Sequence, residues 1–463
     1  MFGGTMTFSR RQFMASAAIA GVAGLTGCTG RFGSATSYLT PILRPQNHNI
    51  VTHWCDVLMQ QIRDQRVSPP RAAYNLAMPT VAGFLAANSL LQAYDDPFGI
   101  GTGPAGADPL MAYGVAFATA ASEVFQQPFV GERMDFANQI PDGEAKSLGA
   151  AWGRQVGLKI VKMRTRDGSQ PSKVNYYLNR YKRRHDALQW TPTGPLYSAK
   201  PGPAFDSFSR PLFPGHGQIT PWTMGRTEKF RVAPFHDPAS PEFADEFDQV
   251  RALGRADSRV RTADQTEIAM FWEDGPWGIT PPGHYMLIAI QVLQDRNLSF
   301  IEWARAMALI AMTQCDASIQ AWDSKYRHDV IRPETAIRHR APRFGNRDPR
   351  VEREKQWRSY IPTPEFPSYT SGHSTFGAAG ATMIGHILGT DRVRFSHQSP
   401  DQVLWPQLRD ITRHWTSLSQ AADENGLSRI YGGVHWMRDH MVGMDAGKAI
   451  ADHAHDNYFR RRV

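Results

Sequence analysis

Ser428 to Asp439 reads SRIYGGVHWMRD, and two shorter stretches upstream belong with it: Lys325 to Pro333 (KYRHDVIRP) and Pro367 to Ser374 (PSYTSGHS). Together they bring a lysine, several arginines, a serine beside a glycine, and histidines into the last third of the chain. One of those histidines, His435, stands four residues before a carboxylate, Asp439. A tetrahedral oxyanion such as phosphate or vanadate asks for this inventory: fixed cations, hydroxyl and backbone donors, an axial nucleophile or ligand, and a proton carrier.

The spacings suit helices. Lys325 and Arg332 are seven apart, close to two turns, so both cations are expected on one face, with Pro333 ending or kinking that helix. Ser371 and Gly372 precede an apolar, small-residue run, FGAAGATMIGHIL. A helix starting there offers free N–H groups and a positive dipole end to an anion. His435 and Asp439 are expected on one helix face, where the carboxylate can orient the imidazole. Gly432 and Gly433 are expected to form the turn that lets Arg429 and His435 converge.

Each piece alone has an ordinary reading: a surface helix end, a turn, an interhelical hydrogen bond. Their joint occurrence in this order is what points to a site. The three segments resemble the signature of the type-2 phosphatidic acid phosphatase and vanadium haloperoxidase superfamily, written K-x6-RP, PSGH and SR-x5-H-x3-D. The first and third match in full; in the second, Thr370 stands where most members have proline. The resemblance implies that Lys325, Arg332 and Arg429 neutralise the anion's equatorial oxygens. It implies that Ser371 and the Gly372 N–H complete the cradle. His435 would be the axial ligand of vanadium, or a phosphohistidine nucleophile. His373 would be the acid–base and Asp439 would orient His435. Trp322, one turn before Lys325, and Phe366 occupy positions where chloroperoxidase-type members wall the halide pocket. Ordinary aromatic packing is the alternative for this pair.

The N-terminus reads as an address. Ser9-Arg10-Arg11-Gln12-Phe13 is a twin-arginine signal, followed by a short apolar run and then Leu25-Thr26-Gly27-Cys28, which matches a lipobox. The expectation is a signal over residues 1–28, a linker over 29–45 and one domain over 46–463. The protein would then be exported to the periplasm or cell envelope, with Cys28 as a lipid anchor and its only membrane attachment. Besides Cys28 only Cys55 and Cys315 remain, which excludes a disulfide-rich scaffold. No C-x2-C or H-E-x2-H motif suggests zinc. His440, His453 and His455 are expected on the solvent side of a polar helix. The chain holds 51 Lys+Arg against 43 Asp+Glu, a formal charge of +8. The arginines are scattered, with no basic–aromatic surface of the kind that binds nucleic acid.

Helical patterns dominate: 47–65, a second run after Ser68-Pro69-Pro70, then 107–126, 143–165, 242–254, 262–273, 279–295 and 299–329. The stretch 168–240 is rich in Pro, Gly and aromatic residues and reads as an irregular covering segment. The fold class expected is all-α. The resemblance implies two four-helix bundles, with the catalytic one over 299–463. It further implies a vanadate-dependent haloperoxidase, in which hydrogen peroxide oxidises a halide and a small organic substrate accepts the halogen. Phosphate could occupy the vanadate site, and the same residues would serve an acid phosphatase working through a phosphohistidine. A non-catalytic anion-sequestering lipoprotein is the third class.

Overall fold

Asn49 starts the first helix, its side-chain oxygen accepting the N–H groups of Val51 and Thr52 while the Thr52 hydroxyl oxygen accepts the Asn49 N–H. This helix, α1 (Ile50–Asp64), turns Trp54, Leu58 and Ile62 inward at helical spacing. The computed structural model describes residues 49–462, apart from 183–185, 193–210, 276–277 and 403–404. The leader over 1–28, Cys28 and the linker over 29–45 lie outside the described residues, as does part of 168–240.

Prolines at the first two helical positions open α2 (Pro69–Leu91), which runs on through Pro79. Asp108 caps α3 (Pro109–Phe125) by accepting the Met111 N–H at 2.7 Å. Then come α4 (Val130–Ala137), α5 (Glu144–Arg164), α6 (Pro171–Arg180), α7 (Pro241–Leu253), α8 (Ala263–Phe271), α9 (Thr280–Leu293) and α10 (Phe300–His328). The last third holds α11 (Gly372–Leu388), α12 (Leu418–Tyr431) and α13 (Met437–Asn457), with a short antiparallel pair, β1 (Phe395–Gln398) and β2 (Thr412–Trp415). In the region 168–240 the described residues contain α6, the 3₁₀ turns His216–Gln218 and Thr227–Phe230, and extended connections.

Two helical bundles share α10. On one side α2 packs on α3 and α10, and α3 on α5; on the other, α11 packs on α10, α12 and α13. The α11–α13 approach depends on missing side chains. A Cβ at Gly447 would lie 2.3 Å from the Thr375 carbonyl, and one at Gly443 would lie 3.0 Å from that of Ser371. That close packing fixes the start of α11 against the start of α13. No helix among the described residues is long and apolar enough to cross a membrane.

Three local expectations are corrected. Lys325 and Arg332 do not share a helix: α10 stops at His328, with Asp329 in the left-handed conformation (φ 53°) as its C-cap. Arg332 is extended and precedes a short turn that Pro333 starts rather than ends. His435 and Asp439 do not share a helix face either. His435 lies before α13, Trp436 is the N-cap, and Asp439 is the third helical residue, whose carboxylate accepts the Trp436 N–H. His440, expected on the solvent side, is 4% exposed, because its helix turns that face onto α11 and α12. His453 and His455 are both half-buried. Cys55 and Cys315 are buried free thiols.

Candidate oxyanion site

Lys325 lies in the last turn of α10 and is fully buried. Its ammonium donates to the carbonyls of Pro367 (3.1 Å), Ser368 (2.9 Å) and Thr370, so the second signature segment is wrapped around a point charge. These three bonds use all three ammonium hydrogens. Arg332, also fully buried, reaches the same loop: Nε donates to the Phe366 carbonyl at 2.8 Å and Nη1 to the Val434 carbonyl at 2.8 Å. Nη1 also stands 3.0 Å from His435 Nε2. Arg429, near the end of α12, donates from Nη1 to the Trp272 and Glu273 carbonyls at 3.2 and 3.3 Å. Gly433, with φ +77°, makes the turn between Arg429 and His435.

The imidazole of His435 is held at both nitrogens. Nδ1 donates to Asp439 Oδ2 at 2.6 Å, which leaves the Nε2 lone pair as the acceptor facing Arg332. Burial, with Arg332, Lys325 and Arg429 nearby, holds its pKa well below the usual histidine range, so the ring is neutral. Burial raises Asp439 to about 7, against the pull of the Trp436 N–H, Lys325 and Arg332. Ser371 is the N-cap of α11; its oxygen accepts the Ser374 N–H at 3.3 Å. The N–H groups of Gly372 and His373 are left at the open end of the helix. His373 is half-buried, with Nε2 3.3 Å from the Glu273 carbonyl oxygen. Burial and Arg429 hold its pKa well below the usual range.

Trp322 and Phe366 stand side by side, ring centroids 4.9 Å apart, with the Lys325 ammonium 5.0 Å from the Phe366 ring. The Trp322 indole N–H donates to the Leu212 carbonyl at 3.1 Å, which ties this wall to the covering segment. Gly372 opens toward the same wall: a Cβ there would come 3.8 Å from the Trp322 ring. The structure thus gathers Trp322, Lys325, Arg332, Phe366, Ser371, Gly372, His373, Arg429, His435 and Asp439 into one neighbourhood.

The sequence reading missed the groups that hold these residues. The carbonyls of Leu212, Trp272, Glu273, Phe366 and Val434 do much of the positioning, and backbone acceptors leave no sequence signal. Ser374, His440 and Asp423 form a further chain, with Ser374 Oγ 3.0 Å from His440 Nδ1 and Asp423 Oδ1 3.1 Å from His440 Nε2. It braces the first turn of α11 on α12 and α13.

Residues 305–462 match the family described as the VCPO second helical-bundle domain. The chain is 26% identical over 294 residues to vanadium chloroperoxidase of Curvularia inaequalis, a match covering 51% of this chain and 48% of that protein. It therefore spans about half the length of that relative. A bacterial vanadium-dependent iodoperoxidase crystal structure superposes with TM-score 0.70 at 24% identity, covering 90% of this chain and 99% of that one. The chain has the vanadium haloperoxidase fold, and the family match falls on its second bundle. An apo-type bacterial vanadium-dependent chloroperoxidase aligns with TM-score 0.62 at 17% identity, covering 83% of this chain and 92% of the other.

The haloperoxidase fold implies vanadate, and the residues fit it. Among the described residues, Arg332 Nη2 and Arg429 Nε are buried donors without a partner. Burying such groups unpaired is costly, and an oxyanion between them would supply the acceptors. Burial also pulls Arg332 down to about 9 and Arg429 to about 10, the direction expected where cations crowd without a bound anion. The neutral His435 Nε2 offers a lone pair of the kind a metal centre accepts.

Proposed function

We propose that this chain is a vanadate-dependent haloperoxidase: halide and hydrogen peroxide, with one proton, give hypohalous acid or its equivalent and water. A small organic molecule then accepts the halogen. The observation that carries the reading is the aromatic wall of Trp322 and Phe366 beside a cluster of buried cations. A low-polarity wall strips water from a halide, and the cations keep that dehydrated anion near the reacting centre. Vanadate, when bound, supplies a Lewis acid that activates peroxide without changing its oxidation state.

The chain's own residues would act as follows. Arg332 and Arg429 hold the anion's oxygens through their spare N–H groups, and Ser371 Oγ and the Gly372 N–H close the cradle. Lys325 contributes its charge, since its hydrogens are engaged by loop carbonyls. His435 Nε2 would hold the vanadate through its lone pair, and Asp439 would keep the proton on Nδ1. His373, half-buried beside the anion site, takes up and returns protons.

The parallel assay of vanadate-loaded and phosphate-loaded protein tests this. Bromination or iodination with peroxide in the first, and no phosphate-monoester hydrolysis in the vanadate-free protein, is expected. Hydrolysis without halogenation would make the chain an acid phosphatase instead.

We further infer export by the twin-arginine route to the periplasm or cell envelope, with a lipid anchor at Cys28. The motifs SRRQF and LTGC support this. Cys28→Ala should release the protein from the membrane fraction; a wild-type protein already soluble and free of acyl chains would refute the anchor.

A further inference from the structure

The break that ends α10 is made by an aspartate. Asp329 is 1% exposed and left-handed, with φ 53° and ψ 43°, and its N–H donates to the Lys325 carbonyl at 2.8 Å. Glycine is the usual residue at such a helix end, because a Cβ in this conformation crowds the backbone. Asparagine and aspartate tolerate it better than other side chains. Burying a carboxylate is costly unless it is hydrogen-bonded. Here Oδ1 accepts the Tyr181 hydroxyl at 3.0 Å.

Tyr181 is the C-cap of α6, and its ring meets that of Tyr326 on α10 edge to face at 5.6 Å. The covering segment also grips the backbone after the break. Trp190, fully buried, donates its N–H to the Asp329 carbonyl at 2.7 Å, and Ile331 donates to the Leu188 carbonyl at 2.8 Å. Gln189 and Val330 form an antiparallel bridge between these bonds. The signature loop holds the other edge. Ser368 donates its N–H to the Val330 carbonyl at 2.9 Å and its hydroxyl to the Ile331 carbonyl at 3.1 Å. The Trp436 indole N–H joins it on the Ile331 carbonyl at 2.9 Å. Residues 329–331 therefore lie between the covering segment and the oxyanion site, and Arg332 is the next residue.

We propose that Asp329 is a positioning residue for Arg332, and that Tyr181 and Trp190 make the covering segment part of the anion site's scaffold. A helix continued through Arg332 would keep it on the α10 face, two turns after Lys325. The left-handed residue ends the helix, and the extended backbone that follows carries the guanidinium to the Phe366 and Val434 carbonyls and to His435. The Tyr181 hydroxyl and the Trp190 N–H hold Asp329 in that conformation from either end of the residue. Asp329 acts through Arg332. This role rests on the oxyanion-site reading and is independent of which reaction the site performs.

The test is calorimetric titration of the full chain with phosphate and with vanadate, which needs no turnover. Asp329→Ala should weaken both anions about tenfold or more, the scale of one charge-assisted hydrogen bond. Asp329→Asn tolerates the same backbone and keeps an acceptor for Tyr181, so it should bind nearly as the wild type does. Tyr181→Phe should weaken binding by less than Asp329→Ala. The double variant Asp329→Ala/Arg332→Met should bind no more weakly than Arg332→Met alone, because one residue acts through the other. Asp167→Asn, which loosens the first bundle, should leave anion affinity unchanged and controls for stability alone. Wild-type affinity in a folded Asp329→Ala, additive losses in the double variant, or an Asp329→Asn as weak as Asp329→Ala would each overturn the proposal. If Asp329→Ala does not fold, Tyr181→Phe with and without Arg332→Met makes the same comparison. A wild type that binds neither anion would refute the oxyanion site and this role with it. The expected pattern without halogenation would keep this role and refute the haloperoxidase reading alone.

Discussion

Both bundles bury arginine, but they treat it differently. In the first, Arg164 at the end of α5 is 6% exposed and pairs with Asp167 at 2.8 Å; that carboxylate also accepts from the Tyr74 hydroxyl and the Ser169 N–H. The pair is joined by a direct ion pair, although Arg164 Nε lacks an acceptor among the described residues. In the second, Lys325, Arg332 and Arg429 crowd together; Asp439 is the acid that acts on Lys325 and Arg332, and Glu273, Asp274 and Asp401 act on Arg429. Their hydrogens go mostly to backbone carbonyls, and Arg332 Nη2 and Arg429 Nε have no acceptor among the described residues. The first arginine closes on a carboxylate, whereas among the described residues no ion pair joins the three cations of the second, and the proposed anion would take that place.

The sharpest way to break this comparison is His435→Ala. Activity should fall at least ~10³-fold, the scale seen when one member of a concerted catalytic group is removed, with the thermal midpoint little changed. Substantial turnover by a folded variant would move the site elsewhere. Next is Asp167→Asn, which strands Arg164 without its partner. Loss of one half of a buried pair costs about 3–5 kcal/mol, so urea denaturation should show a large drop while the activity per folded molecule stays near wild type. Equal stability would mean that water already satisfies Arg164.

A smaller effect separates the two kinds of burial directly. Phosphate or vanadate at a hundredfold its dissociation constant should stabilise the wild type by about 2.7 kcal/mol. Arg332→Met should lose most of that gain in thermal unfolding, whereas Asp167→Asn should keep it. A full anion response in Arg332→Met would contradict the cradle.

The gentlest test is acid. His216 sits between the bundles with its pKa depressed to about 3 from an ordinary 6.5. The unfolded chain then binds more protons at this position between those values. The contribution of His216 is complete above about pH 6.5 and is lost as pH falls toward 3. His216→Gln should flatten that limb of the stability curve, measured by denaturant titration at stepped pH. An unchanged slope would assign the acid sensitivity to other buried histidines, such as His284, also near 3.

Much of the fold could be read from periodicity and proline. Prolines mark the starts of α2, α3 and α7, and the helices lie within a few residues of their expected spans. The α10 end could not. Local spacing favoured one helix from Lys325 to Arg332, but Asp329 adopts a left-handed cap. That break turns Arg332 toward Phe366, Val434 and His435, which are distant in sequence.

The sequence by itself determined which side chains are proposed to carry the chemistry, because their order and spacing are properties of the chain. It also determined the helical class, through apolar period and helix-start residues. Tertiary structure alone decided which cations are left short of acceptors. It set the carbonyls that aim Lys325, Arg332 and Arg429. Those outcomes depend on backbone groups and on neighbours a hundred or more residues away, and neither has a signature in residue type.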